Sequence, residues 1–163
     1  MAADYYLQLD GIKGESADSR HAGWIECTSV NWSITQPKSA TASTAGGHTA
    51  ERAELSDITI SKLVDLASPM LAQICACGKT IPKAKLEMLR ADGNGEPVKY
   101  FEVELENVLV AHIAPHFTGG DIPGESLGLK FSRVRWRYTQ QKIGGGASGN
   151  TAGGWDLATN RIA

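Results

Sequence analysis

The residues able to hold a metal or carry out nucleophilic chemistry are four histidines, His21, His48, His112 and His116, and three cysteines, Cys27, Cys75 and Cys77. His112 and His116 stand four apart, but in a strand-then-proline context, where that spacing does not put two rings on one helical face. HExxH, GxSxG and a P-loop lysine motif are all absent, so surface or structural histidines are the better reading and no enzyme activity is expected. Cys75 and Cys77 lie two apart on an expected helix. There their side chains diverge by about 200°, which is poor geometry for a bridge. Four zinc ligands at a recognisable spacing are missing, so buried or half-buried thiols are the leading reading, with a C-x-C metal or redox site the alternative. No cofactor or metal is expected.

A second constellation is charged. Arg133, Arg135 and Arg137 alternate with Val134, Trp136 and Tyr138, and Glu102, Glu104 and Glu106 alternate with Phe101, Val103 and Leu105. Basic residues beside aromatics can make a nucleic-acid surface. On a strand, however, the two sets point to opposite faces, so the aromatics belong to the core and cannot stack bases beside the arginines. The acidic and basic rows share a period of two and are expected to pair, within one sheet or across a subunit boundary. Exposed pairs of this kind are worth about 0–1 kcal/mol each and set register and partner choice more than stability. The glycine runs at 119–120 and 144–154 are not followed by a helix whose N-terminus would hold a phosphate, so they read as loops.

At 163 residues the chain fits one domain, residues 1–163, able to bury roughly two-thirds of its unfolded surface. Its formal charge of −2 draws it to neither nucleic acid nor an anionic membrane, and neither is an expected partner. The N-terminus lacks the basic and apolar regions of a signal peptide, and no stretch approaches the ~18 apolar residues of a membrane span. Synthesis in the cytoplasm without signal-peptide secretion is expected.

The elements that must position these residues are mostly strands. Segments 4–9 and 23–34 are rich in aromatic and β-branched residues, the second bent near Thr28, and Ile58 and Ile60 alternate with Asp57 and Thr59. Ser68-Pro69 marks a helix start, the serine as cap and the proline at the first helical position, and Gly78 is placed to end that helix. The alternating segment from Lys83, the turn Asp92-Gly93-Asn94-Gly95 and the return from Val98 to Ile113 read as a hairpin, bent at Asn107. Residues 125–140 read as one long strand with a one-residue slip at Ser132-Arg133, which implies a bulge. A glycine-rich linker, 144–154, then precedes a tail, 155–163, that docks through Trp155 and Leu157 on this domain or a neighbour. Together these are about seven or eight strands and one short side helix, which points to a mainly β fold of two antiparallel sheets closed as a barrel or sandwich.

Between two of the strands lies a long extended loop, 37–51 (PKSATASTAGGHTAE). Loops of this length are usually functional or disordered. Small side chains and free backbone groups suit an arm that lies along another protein better than a catalytic loop.

The residues also resemble a known family. DGIKGES at 10–16, His21 with the GWIE strand, DITISKLVDLASPML around Ser68-Pro69, LENVLV at 105–110, the strand ending VRWRYTQQK and the closing GGWDLATNRIA are similar, in order and over the whole chain, to the haemolysin-coregulated protein (Hcp) family of bacterial type VI secretion. The resemblance implies a β-barrel protomer in a homohexameric ring, and rings that stack into an inner tube. A contractile sheath surrounds that tube in the cytoplasm, a VgrG spike caps it, and contraction expels it with small effectors held in its lumen. It assigns the 37–51 loop to contacts between subunits and rings, through Lys38, Ser39, Thr41, Ser43, Thr44, Gly46, Gly47, His48, Glu51 and the adjoining Arg52. Thr118, Gly119 and Gly120 become candidates for lumen and cargo contact. No fused toxin domain is expected after Ala163. The alternative is a freestanding monomeric β-barrel binding module related to phage tail-tube proteins.

Overall fold

The computed structural model describes residues 4–37, 52–144 and 147–163. Along them run β1 (Asp4–Leu9), β2 (Ile25–Cys27), β3 (Ser29–Asn31), β4 (Ile34–Thr35), β5 (Glu54–Leu55), β6 (Ile58–Leu63), α1 (Ser68–Cys77), β7 (Ile81–Ala91), β8 (Pro97–His116), β9 (Gly124–Lys130), β10 (Arg133–Gln141), β11 (Ala147–Asp156) and β12 (Arg161–Ile162). The fold is mainly β and antiparallel, with one short helix among the described residues. The two expected antiparallel sheets share β8 and are joined through it into one ten-stranded network, with the hydrogen-bonded order β12-β11-β10-β8-β7-β1-β2 and a branch in which β9 pairs β8, β6 pairs β9 and β3 pairs β6. A separate two-stranded ribbon joins β4 to β5.

The reason the two sheets join is β8. Its 20 residues exceed what one set of neighbours can use. Up to Glu106 it pairs with β10, and from Leu109 onward with β9. Between these stretches Asn107 takes the left-handed conformation, φ 53°, and turns the strand. The bend expected at Asn107 is therefore present. The single bulged strand expected over 125–140 is instead two strands, β9 and β10, broken at Phe131-Ser132. The slip in hydrophobic phase records the chain leaving one half of β8 for the other.

The glycine-rich stretch also differs from expectation. From residue 147 it is strand, with Tyr138 opposite Thr151, Trp136 opposite Gly153 and Val134 opposite Trp155. Glycine is poor in strands for entropic reasons, but a partner already held in the sheet supplies the ladder that orders it. The tail then turns at Asn160, φ 55°, and β12 pairs back on β11 of its own chain.

Leu7, Ile25, Ile60, Leu86, Val103, Leu127 and Val134 alternate inward and form the core. The helix adds Leu71 and Ile74, each worth about 1.5–3 kcal/mol on full burial. Gly78, φ 69°, ends it by donating its N–H to the Ile74 carbonyl. Ser68 is not the cap: it is the first helical residue, Ala67 is the N-cap, and the serine hydroxyl is turned inward. The aromatic row of β10 is core only at its start. Val134 is buried, Trp136 half-buried and Tyr138 41 % exposed, because β10 runs past the end of the packed layer. Gly14 has a steric reason. A Cβ there would sit 2.4 Å from the Trp24 carbonyl oxygen, where the 14–16 segment hydrogen-bonds to residues 23 and 24.

Candidate functional site

Cross-strand register builds three charge rows on one sheet face. Lys83, Glu106, Arg133 and Asp156 stand opposite one another along β7, β8, β10 and β11. Lys85, Glu104, Arg135 and Gly154 make the second row, and Glu87, Glu102, Arg137 and Ala152 the third. Directly opposed side chains share a face and are the natural interaction pairs of a sheet.

The ion pairs do not follow the register strictly. Arg133 reaches Glu106 at 3.4 Å and Asp156 at 3.7 Å. Glu102 instead takes Lys99 at 2.7 Å and Lys85 at 3.1 Å, and Glu104 lies 3.8 Å from Lys85. Burial of Glu102 opposes its charge, but hydrogen bonds from Lys99 and Lys85 outweigh it and hold the carboxyl down at about 2. Among the described residues Arg135 and Arg137 enter no ion pair.

The opposite half of the sheet presents a different surface. Ser29, Ser61, Ser126 and Ala114 are opposed across β3, β6, β9 and β8, and Asn31, Thr59, Gly128 and His112 form the next row. Val30, Ile60, Leu127 and Ile113 between them face the core. These two rows carry small polar groups and no carboxylate or ammonium, so they offer hydrogen bonds without a fixed charge; Lys130, exposed, continues the phase of Ser126 and Gly128 at the end of β9. His112 Nε2 lies 3.5 Å from Ser126 Oγ, at the outer limit of a hydrogen bond, and among the described residues no carboxylate pairs with the ring. That arrangement lacks the oriented base a serine nucleophile needs.

The other expected site residues are scattered. Lys38, Ser39, Thr41, Ser43, Thr44, Gly46, Gly47, His48 and Glu51 lie outside the described residues. Arg52 donates from Nη2 to the Leu157 carbonyl at 2.8 Å, and Leu157 N–H donates to Ser132 O at 2.8 Å, so base of loop and tail meet on one protomer. Trp155 is half-buried against the core. Thr118, Gly119 and Gly120 sit in the exposed loop between β8 and β9, with Gly120 at φ 97°. The cysteines are free thiols, and burial pushes Cys27 up to about 12, which keeps it protonated and unreactive.

Two buried clusters were not singled out from the sequence. Lys62 is fully buried, and its ammonium meets Glu125, Asp65 Oδ1 at 3.0 Å, Ser68 Oγ at 3.3 Å and the Leu63 carbonyl at 3.0 Å. This ties the end of β6 to the start of β9 and the first turn of α1. The signal was available: Lys62 continues the phase of Ile58 and Ile60, so the alternation itself turns it inward. His21 is also buried, stacked on Tyr6 at 4.2 Å between centroids and bonded through Nδ1 to Asp18 at 2.6 Å. That hydrogen bond holds the Asp18 carboxyl below its usual range. A groove of about 340 Å³ is lined in part by Tyr6 of one cluster and Asp65 of the other, but the Lys62 and His21 side chains are themselves buried, and both clusters read as fold-holding.

Known proteins resemble this chain in sequence and in fold. Residues 6–138 match the family model described as type VI secretion system effector, Hcp. Protein hcp1 of Pseudomonas aeruginosa is 32 % identical over 162 residues, 98 % of each chain. Among solved structures, Hcp1 from Salmonella typhimurium superposes with a TM-score of 0.83 at 31 % identity over all of both chains. A structure of a type six secretion system protein gives 0.91 at 30 % identity, over 99 % of this chain and all of that one. A family match over most of the chain and near-complete structural correspondence leave one assignment: the chain belongs to the Hcp family of type VI secretion system effectors.

Proposed function

We propose that this chain is a structural tube subunit of a type VI secretion system, six copies forming a ring and rings stacking into the expelled inner tube. The observation that carries this reading is the difference between the two halves of the sheet's outer surface: charged rows suited to setting the register of protein contacts, and Ser/Thr/Asn rows without fixed charge suited to a lumen that must hold small effectors and release them. In this reading each protomer is a barrel, supported by how the pairings run. From β8 the pairings run one way through β7, β1 and β2 and the other way through β9, β6 and β3, and the two ends meet at Thr28, whose N–H donates to Ser61 O at 2.7 Å. In this reading the 37–51 segment, which links β4 to β5 in sequence, contacts adjoining subunits and rings, and the β8–β9 loop with Thr118, Gly119 and Gly120 contacts lumen cargo. The sheath and the VgrG spike are the outer and terminal partners, with assembly in the cytoplasm before expulsion.

The test is native mass by light scattering with negative-stain images of the same fraction. A six-subunit mass with annular particles supports the tube subunit. A monomer at micromolar concentration overturns it in favour of a freestanding binding module.

A further inference from the structure

The outer edge of β11 is open over most of its length. β12 covers it only opposite Trp155 and Asp156, and just beyond, Ala163 N–H donates to Gly154 O at 3.3 Å. Backbone groups of alternate residues point to the same side of a strand, so the N–H and C=O of Ala152 and Asn150 face outward with those of Gly154. Among the described residues no strand pairs with them. An unpaired row of this kind is a template for an incoming strand.

Arg135 leans over the same edge, and Arg137 lines the groove beside it. A Cβ on Gly154 would stand 3.1 Å from Arg135 Cγ, so the arginine side chain crosses β11 where glycine leaves room. A groove of about 320 Å³ lies here, lined by Arg135, Arg137, Gly153, Gly154, Ile162 and Ala163, with Glu102 and Glu104 on its far side. Those two carboxylates already have Lys85 and Lys99. The first charge row shows what is missing from the other two: Arg133 has Asp156 beside it on β11, whereas Arg135 faces Gly154 and Arg137 faces Ala152.

We propose that the edge of β11 left open beyond the Ala163 contact at Gly154 docks an extended, carboxylate-bearing segment of another protein, paired to Asn150 and Ala152 as a further strand, with one acid opposite Ala152 answering Arg137 and a second, where the segment leaves the edge beside Ala163, answering Arg135. Backbone pairing supplies the affinity and the two arginines select the charge pattern. A second copy is the poorer occupant, because the only acids at alternate positions in this sequence are Glu102, Glu104 and Glu106, held mid-sheet in β8 between β7 and β10. The inference does not rest on the ring, since peptide binding is read whatever the native mass.

The probes are two synthetic peptides, TVEVEVT and its lysine counterpart TVKVKVT, titrated into the full chain at low and moderate salt, with hydrogen-exchange mass spectrometry over 147–154. The acidic peptide is expected to bind, to weaken with salt and to slow exchange of that segment at least about tenfold, while the lysine peptide does not. Arg135→Gln with Arg137→Gln should weaken binding at least about tenfold. Ala152→Pro, which removes an outward N–H on an edge strand, should do the same with both arginines intact. Equal binding of both peptides, or exchange unchanged at saturation, overturns the proposal. A segment already protected in the assembled protein, and unaffected by peptide, overturns it in favour of a second copy.

Discussion

Asn107 and Ser132 mark the same corner of the sheet from two strands: Asn107 Nδ2 donates to Ser132 Oγ at 2.9 Å, and Ser132 N–H donates to the Glu106 carbonyl at 3.1 Å. The left-handed residue that turns β8 is thereby joined to the break between β9 and β10. Asparagine tolerates this conformation better than other side chains with a Cβ. Asn107→Ala should lower stability by about 1–2 kcal/mol, from backbone strain with a small hydrogen-bond loss. Asn107→Gly, which keeps the backbone conformation, should lower it by less. Urea midpoints at constant m-value measure both, and equal losses would remove the conformational argument.

Lys62 is the group on which the α1 anchor depends. Lys62→Met leaves Glu125 and Asp65 without their cation and should cost about 3–5 kcal/mol. Lys62→Met with Glu125→Leu should recover part of that, since only Asp65, which still accepts from the Ala67 N–H, then lacks its cation. Thermal and urea unfolding of the single and double variants decide it, and a double variant as unstable as the sum of the singles would show that the pair is not the coupled unit.

Glu102 sets a pH dependence. Its folded-state carboxyl is held at about 2, below its ordinary 4.5. Its contribution is therefore fully present above about pH 5 and is lost as pH falls toward about 2. The stability difference between the parent and Glu102→Gln should shrink over that window. A difference constant from pH 6 to pH 2.5 would count against the pairing with Lys99 and Lys85.

Arg135 stands opposite Glu104 without an ion pair to it, so their coupling should be small. Arg135→Glu is expected to destabilise by less than about 1 kcal/mol, and adding Glu104→Arg should restore most of the loss. A double variant no better than the sum of its singles would mean that register here comes from the backbone ladder alone.

Deleting residues 39–49 should leave the protomer folded, because the β4–β5 ribbon and the Arg52–Leu157 bond lie outside the deletion and the segment carries little apolar area. Ring stacking should weaken. Sedimentation of assembled material measures this, and polymerisation equal to the parent's would count against a stacking role for the loop.

Alternation at period two was enough to mark β1, β6, the β7–β8 hairpin and the rows Glu102–Glu106 and Arg133–Arg137, because each of these faces water on one side and the core on the other. The helix end at Gly78 and the bend at Asn107 were also legible, since both are local backbone demands that few residues meet. Where neighbours decide, the sequence was silent. Residues 147–154 read as a linker and became a strand only because β10 offered a ladder. Residues 125–140 read as one strand and became two because β8 turns at Asn107. Ser68 read as a helix cap and turned inward because a buried ammonium required its hydroxyl. What belongs to one residue's own conformational energy is written in the chain; what depends on which strand lies alongside, and on where a buried charge finds its partners, exists only once the strands have paired around it.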